Sequence, residues 1–430
     1  MSETKSCSLR VSKRYFRYLV FVLILIEILD AYTTAYPLVI PSNIIDEFLA
    51  DMNRNTAQGI FAIGAGIATI GMYFVFINQY CADRFGRKLI LAFTCFGMAF
   101  ASLMMILSTN FVMFIVFLFL LYLFFSSDIW MIYINEECPD DKRAIWANII
   151  VSGGIIGVFL SSILRGVFIT ETSPVGAWRG LSWFAVILGF LCTILVLFTL
   201  KETSTFLNHK KTGLKATEAK PSFKQNTSSL FKSSRRTEYI VILILALTNG
   251  LSYLFCIVGQ EYMRTQGGLK ETQVNTVVLI SAALILAGYI TTGITGDKIG
   301  RKFVLYLWSI LYPIFIIILV ILVTGGLGTS IITWIFFGLI YSAWWGLIGG
   351  IRIVTVEIVP TDKRGTAGGL RGFVSAVGIT SGLLLGGFLT FTFGYGVAFI
   401  IFSVPLFINI PLIYKYIKET KGVDLTSIKD

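Results

Sequence analysis

The sequence predicts an all-α membrane protein, with twelve transmembrane helices in two pseudo-symmetric six-helix bundles. Three observations carry that prediction. The 430 residues are 56% hydrophobic and only 14% charged, with mean hydropathy +0.80, whereas soluble domains run at about 45–50% apolar and roughly 25% charged. The apolar residues gather into runs of membrane-spanning length, about 20 residues each. Three short charged motifs also occur twice in the same order. Composition this apolar excludes a soluble enzyme, a disordered protein and a nucleic-acid-binding module.

In chain order, the apolar runs fall near 16–40, 57–80, 89–108, 111–134, 145–169 and 180–200, then near 239–260, 274–296, 303–324, 330–353, 368–392 and 395–416. Each is long enough to span with some tilt. The polar stretch between the two sets carries Lys210, Lys211, Lys215, Lys220, Lys224, Lys232, Arg235 and Arg236. It reads as a cytoplasmic linker, 201–237, between an N-terminal bundle (1–200) and a C-terminal bundle (238–430). Ahead of the first run, the segment is polar and basic. That run is too long, and too polar at its centre, for the core of a cleavable signal peptide.

Lysine and arginine set the expected orientation. With both termini in the cytoplasm, 28 of the 35 basic residues lie inside and four (Arg54, Arg179, Arg264, Lys270) outside, while Arg165, Arg352 and Arg371 lie at membrane depth. That distribution accounts for the net charge of +11 without nucleic acid. The six cysteines are scattered, with no C-x-x-C pair, and read as small hydrophobic residues in helices. The single histidine, His209, lies in the linker, so neither a membrane-embedded histidine relay nor a metal site is expected. No cofactor is called for.

The repeat is specific. Asp83-Arg84-Phe85-Gly86-Arg87-Lys88 recurs as Asp297-Lys298-Ile299-Gly300-Arg301-Lys302 at an offset of 214. Glu136-x-x-Pro139-x-x-x-Arg143 recurs as Glu357-x-x-Pro360-x-x-x-Arg364 at 221, and Lys201-Glu202-Thr203 as Lys418-Glu419-Thr420 at 217. All lie on the expected cytoplasmic face, which implies two homologous six-helix halves. Glycine lets the chain reverse tightly between helices 2 and 3. Asp83 is then expected to cap an adjacent helix N-terminus, and Pro139 to stop or bend helix 4. The charges are complementary: Arg87 and Arg143 against Glu136 and Glu202, then Arg301 and Arg364 against Glu357 and Glu419. Together with Asp83 and Asp297, these groups form a candidate cytoplasmic gating network.

On these motifs, the sequence resembles the major facilitator superfamily over essentially its whole length. The paired Asp-x-x-Gly-Arg-Lys loops are similar to that superfamily's helix 2–3 and helix 8–9 motif. The Glu-x-x-Pro-x-x-x-Arg and Lys-Glu-Thr segments are similar to its sugar-porter and metabolite:proton symporter branches. The resemblance implies alternating access around a central site, with the charged networks closing the cytoplasmic side. Departures are Gln79 where the motif's leading glycine is expected (the second copy keeps Gly293), Ala246-Leu247-Thr248-Asn249-Gly250 in place of the sugar porters' Gln-Gln-x-Ser-Gly, and Trp344-Trp345-Gly346 in helix 10.

Ionisable groups at membrane depth cost about 2.5–3.5 kcal/mol each on insertion scales and are functional candidates by default. Helix 1 carries Glu27, Asp30 and Thr34 at i, i+3 and i+7 on one face. Asp30-Ala31-Tyr32-Thr33 resembles the Asp-Gly-Tyr-Asp of aromatic-acid:proton symporters. Asp30 is the first candidate for a proton or substrate site, with Glu27 and Asp128 beside it. Arg165 either snorkels to the interface or pairs with an acid or the solute, and Arg352 is expected in the cytoplasmic network. Asn249-Gly250 interrupts helix 7 ahead of Tyr253, and irregular backbone at this depth is tolerated where it lines a cavity. Trp344 and Trp345 either stack on a ring-bearing solute or face lipid.

The residues together point to a secondary transporter for a small organic solute, a sugar or organic acid, rather than an enzyme. No P-loop and no nucleophile–base pair is present. The proton is the expected coupling ion, the bilayer the surrounding partner, the cell membrane the location and the monomer the working unit. A uniporter or an organic-cation or drug exporter on the same fold stays open, as does a non-transporting solute sensor.

Overall fold

The computed structural model describes residues 12–124, 129–138, 143–204, 206–207, 223–360 and 363–422. The first half contains α1 (Lys13–Ala35, continued by a 3-10 turn Tyr36–Val39), α2 (Arg54–Thr69, then a 3-10 stretch Ile70–Phe74 and a helix Val75–Phe85) and α3 (Arg87–Ile106). It continues with α4 (Phe111–Leu123 and Ile129–Glu137), α5 (Arg143–Phe168) and α6 (Arg179–Thr199). The second half has α7 (Arg236–Leu251 and Leu254–Thr265), α8 (Glu271–Lys298), α9 (Arg301–Thr324) and α10 (Ile331–Ile358). A continuous helix, Arg364–Ser403, breaks at Gly394, with φ 74° and ψ 174°. This break separates α11 (364–393) from α12, which runs on through Asn409–Tyr416. Every apolar run read from the sequence thus corresponds to one helical span, and the twelve-helix, two-bundle fold stands.

The internal repeat is visible in the packing. In the first half α1 packs on α5, α2 on α4, and α3 on α6; in the second, α7 packs on α11, α8 on α10, and α9 on α12. The halves meet along α2–α11 and α5–α8. At the first contact, glycine faces glycine: a side chain on Gly59 would strike Phe391 and the Gly387 carbonyl, and one on Gly387 would strike Ile63 and the Gly59 carbonyl. Close backbone approach through small residues is how apolar helices gain contact where lipid provides no hydrophobic drive. Large apolar side chains such as Phe198 (80% exposed) and Val112 (69%) project outward, as a lipid-facing surface requires.

An even number of spans puts both chain ends on one face, which also carries the repeated charged motifs; we call it the basic face. The opposite side is the far face. A short helix, Pro41–Phe48, lies there between α1 and α2. Glu47 holds it to α6, accepting from the Trp178 indole (2.6 Å) and pairing with Arg179 (2.8 Å).

Candidate functional site

At the basic face each half builds the same cluster. Gly86 (φ 109°) and Gly300 (φ 148°) stand immediately before α3 and α9, in backbone conformations that only glycine adopts cheaply. Both are also pressed by a carboxylate. A side chain on Gly86 would strike Glu202, and one on Gly300 would strike Glu419. Glu202 accepts from the backbone N–H of Arg87 (3.1 Å) and Lys88 (3.2 Å), and Glu419 from those of Arg301 (2.8 Å) and Lys302 (3.2 Å). The free N–H groups of a helix start thus meet an anion where the helix dipole favours one. The cap on α3 and α9 therefore comes from the Lys-Glu-Thr segment. In the second half, Asp297 instead pairs with the Arg301 side chain (2.6 Å). The Asp83 side chain lies outside the described residues. A carboxylate arriving from another segment reaches the first two amides of the helix, while glycine at the cap position leaves that space open.

Two of the arginines pair with glutamates of the same half. Arg87 pairs with Glu136 (3.0 Å) and Arg301 with Glu357 (3.0 Å). Thr420 donates to Glu357 (2.5 Å). Arg364 donates to the carbonyls of Val356 (3.0 Å) and Val359 (3.2 Å) at the end of α10. Burial raises the Glu419 pKa, but N–H bonds from Lys421, Arg301, Lys302 and Thr420 more than offset it, and the pKa lies below the ordinary glutamate value. These bonds each stay within one half. The Arg143 side chain and residues 139–142 lie outside the described residues, as does Asp128.

At mid-depth, α7 breaks at Ser252–Tyr253, and carbonyls at and beside the break accept from side chains of the second half. The Trp344 indole donates to the Asn249 carbonyl (2.9 Å), Tyr312 to that of Ser252 (2.7 Å) and Tyr341 to that of Cys256 (2.9 Å). Such replacement is what permits irregular backbone at membrane depth. Trp344 is therefore buried in the bundle (2% exposed), its ring against Tyr253 (4.8 Å) and Trp345 (4.9 Å). The Asn249 side chain is wholly buried, and neither of its amide atoms has a hydrogen-bond partner.

Glu27 and Asp30 are half-buried on α1. The Thr34 hydroxyl donates back to the Asp30 carbonyl (2.8 Å). Asp30 lies within electrostatic reach of Cys95 on α3. Glu27 lies against Gly154 of α5, and both Glu27 and Arg352 act on Tyr289 of α8. Tyr289 in turn packs on Trp345 (6.1 Å between ring centres). Arg352 does not join the basic-face cluster as expected. Five residues separate it from Glu357, a rotation of about 140° around the helix, so the two point different ways. Tyr289 thus comes within electrostatic reach of helix 1 from the other half, with Arg352 acting on it from α10, a juxtaposition that only the packing reveals.

At the far face, Arg165 is wholly buried and does not snorkel. It pairs with Glu271 (2.9 Å) and donates to Gln260 (3.1 Å), the Val39 carbonyl (2.7 Å) and Asn275. Around it lie Arg54–Glu261 (2.5 Å), Arg54–Asp46 (2.7 Å), Arg264–Asp46 (2.5 Å) and Arg264–Glu271 (3.2 Å). Sequence reading saw Arg54 and Arg264 only as topology charges and missed Asp46, Glu261 and Glu271. The one available signal was the density of opposite charges at the ends of the apolar runs.

Comparison with known proteins adds the family. The Major Facilitator Superfamily profile matches residues 20–259 and again 239–429. The cis,cis-muconate transport protein of Acinetobacter baylyi is 25% identical over 390 residues, covering 87% of this chain and 89% of that protein. The sialic acid transporter NanX of Escherichia coli is 24% identical, covering 75% and 76%. Among solved structures, a D-xylose-proton symporter superposes with a TM-score of 0.76 at 18% identity, covering 96% of this chain and all of that one. The inward-open xylose transporter XylE of E. coli gives 0.73 at 18%, covering 96% and 99%; at such identities the likeness is one of fold. With the profile matched along nearly its entire length, and with two repeated six-helix bundles behind that match, the chain belongs to the Major Facilitator Superfamily and is a multi-pass membrane transporter.

Proposed function

We propose that the protein carries a small organic acid across the cell membrane by alternating access, in symport with protons, working as a monomer with its basic face and both termini in the cytoplasm. The observation that carries this reading is that the α1 carboxylate Glu27 and Arg352 of the other half both lie within electrostatic reach of Tyr289, at membrane depth. Arg352 is an exposed cation within a span, suited to a solute carboxylate. Asp30 and Glu27 are the groups that take up and release the proton.

Asn249, Tyr253, Trp344 and Trp345 form the remaining wall of the solute site in this reading. Two unpaired amide atoms cost on the order of 1–3 kcal/mol each, and a solute oxygen reaching Asn249 would recover that. Two relatives named for organic acids, and a solved neighbour titled as a proton symporter, support the same direction. The repeated basic-face clusters hold the helix ends of each half rigid, and in this reading they take part in gating by fixing the surfaces that meet when that side closes. The 201–237 segment is the linker between the two bundles.

The test is uptake into proteoliposomes under an imposed proton gradient, beginning with muconate, sialic acid and xylose. Accumulation of an acid that is lost in Asp30→Asn or Glu27→Gln, with weakened solute affinity in Arg352→Gln, is the expected result. Equal equilibration with and without the gradient, unchanged in Asp30→Asn and Glu27→Gln, means a uniporter and overturns the coupling.

A further inference from the structure

A small cavity lies between the halves, and four helices fix its depth. Its wall takes Ala35 from α1, Val158 from α5, Ala282 and Ile285 from α8, and Phe337 and Tyr341 from α10. On three of these helices, the residue one turn nearer the basic face borders the region of Glu27 and Tyr289. Tyr289 follows Ile285 on α8, and Trp345, against which Tyr289 packs, follows Tyr341 on α10. Gly154, against which Glu27 lies, precedes Val158 on α5. On α1, Glu27 itself stands two turns before Ala35. The cavity is therefore the next layer beyond the Tyr289–Trp345 pair, toward the far face. Arg352, two turns past Trp345 on α10, lies on the other side of that pair.

The polar groups of the wall are already committed to the protein. Ser161 and Ser162 donate to the Val158 carbonyl (2.8 and 3.3 Å), Ser281 to that of Val277 (2.8 Å) and Tyr341 to that of Cys256 (2.9 Å). Gln260 is held at both ends, donating to Ser42 (3.1 Å) and accepting from Arg165 (3.1 Å). Among the described residues, no charged side chain belongs to the wall. A carboxylate or hydroxyl placed there gives up water without meeting an uncommitted hydroxyl donor, whereas a hydrocarbon gains by leaving water. We propose that this cavity is the apolar end of the solute site, and that the carried acid is an amphipathic monoacid whose unsubstituted hydrocarbon end lies there. The proposal rests on the acid-transport reading above and narrows its substrate class. Tyr341 and Arg352 stand eleven residues apart on α10, about 16 Å along the helix. The Arg352 side chain leans toward the N-terminal end of α10, and so toward the cavity; a chain of about eight carbons covers the rest of that distance. Ala35 and Ala282 set where the chain must end, because a larger side chain at either position fills the cavity.

The experiment is equilibrium binding to the full chain in lipid nanodiscs, measured against empty nanodiscs. The probes are butanoate, octanoate, 8-hydroxyoctanoate and octanedioate. Octanoate is expected to bind about tenfold or more tightly than either of the last two, which carry a polar group into the cavity. Ala282→Leu and, separately, Ala35→Leu are expected to weaken octanoate about tenfold, the effect of returning about two methylenes to water. Butanoate is too short to reach the cavity and should bind both variants as it binds the parent, which guards against misfolding. Arg352→Gln should weaken butanoate and octanoate alike. Octanedioate bound as well as octanoate, or octanoate unchanged in both filled variants, overturns the apolar end while leaving the acid site standing. Equal losses of butanoate and octanoate in the filled variants also overturn it, since the damage is then general. If no acid binds and Arg352→Gln changes nothing, the acid-transport reading itself fails, and this proposal with it.

Discussion

The two faces of the molecule use the same kinds of residue in opposite ways. At the basic face, arginine, glutamate and glycine build two copies of one cluster, and the bonds of each copy stay inside its own half: Arg87–Glu136 with Glu202, and Arg301–Glu357 with Glu419. At the far face, Arg54–Glu261, Arg264–Asp46 and Arg165–Glu271 all run between the halves, with no repeated counterpart among the described residues. A bond within a rigid half is present in every state of an alternating transporter and so contributes to the stability of that half. A bond between halves exists in one state only and so contributes to the balance between states. The same chemistry thus stabilises a bundle at one face and selects a conformation at the other. Mid-depth ties such as Thr69 to Thr380 (2.9 Å) sit near the pivot, where little relative movement is needed.

The largest expected effect lies at the far face. Glu261 is wholly buried and joins Arg54 and Gln58 across the seam; breaking a buried pair costs about 3–5 kcal/mol. Glu261→Gln should therefore open the far face, read as faster labelling at Ser281→Cys by a membrane-impermeant maleimide applied from that side, while the melting temperature in detergent falls little. A large loss of melting temperature without a change in labelling would erase the contrast between the faces.

Gly300→Ala comes next, placing a side chain at φ 148° against Glu419. Strain of about 1–3 kcal/mol is expected, seen as lowered thermal stability with the two faces labelled as before. Gly86→Ala should match it, because Glu202 stands in the same relation. Unequal losses would mean that the two clusters are alike in pattern but not in energy.

Glu419→Ala removes a helix cap, typically worth about 1 kcal/mol. The Glu419 pKa is held below its ordinary value, so its contribution is present above the ordinary glutamate pKa and fades as pH falls through the lowered one. Melting curves of the variant and the parent should converge in that acid range; a constant gap down to the lowest pH would mean that the carboxylate charge is not what acts. The smallest effect belongs to Asp297→Asn, whose side chain is 73% exposed. Exposed pairs are worth about 0–1 kcal/mol, and a larger drop in melting temperature would show that Asp297 does more than hold Arg301.

Much of this architecture is legible in the chain alone because it is local. A run of about 20 apolar residues can satisfy its backbone in lipid only as a helix, so the composition and spacing determined the number, order and approximate limits of the spans. The duplicated Asp-x-x-Gly-Arg-Lys, Glu-x-x-Pro and Lys-Glu-Thr segments determined that there are two equivalent halves. They also pointed to Arg87 with Glu136 and Arg301 with Glu357 at the basic face, since a duplicated motif advertises its own pairing. Which group fills which position was less visible: glycine at the cap site of α3 and α9 leaves room for a carboxylate from a distant segment, and that choice belongs to Glu202 and Glu419.

Only the tertiary structure decided what meets across the seam. Arg165 and Glu271 are 106 positions apart, and Arg54 and Glu261 are 207 apart, with no motif to link them. Tyr289 comes within electrostatic reach of Glu27 only once the halves are docked. A helix dictates its own faces through a period of 3.6 residues, whereas the partner a face receives depends on the placement of every other span.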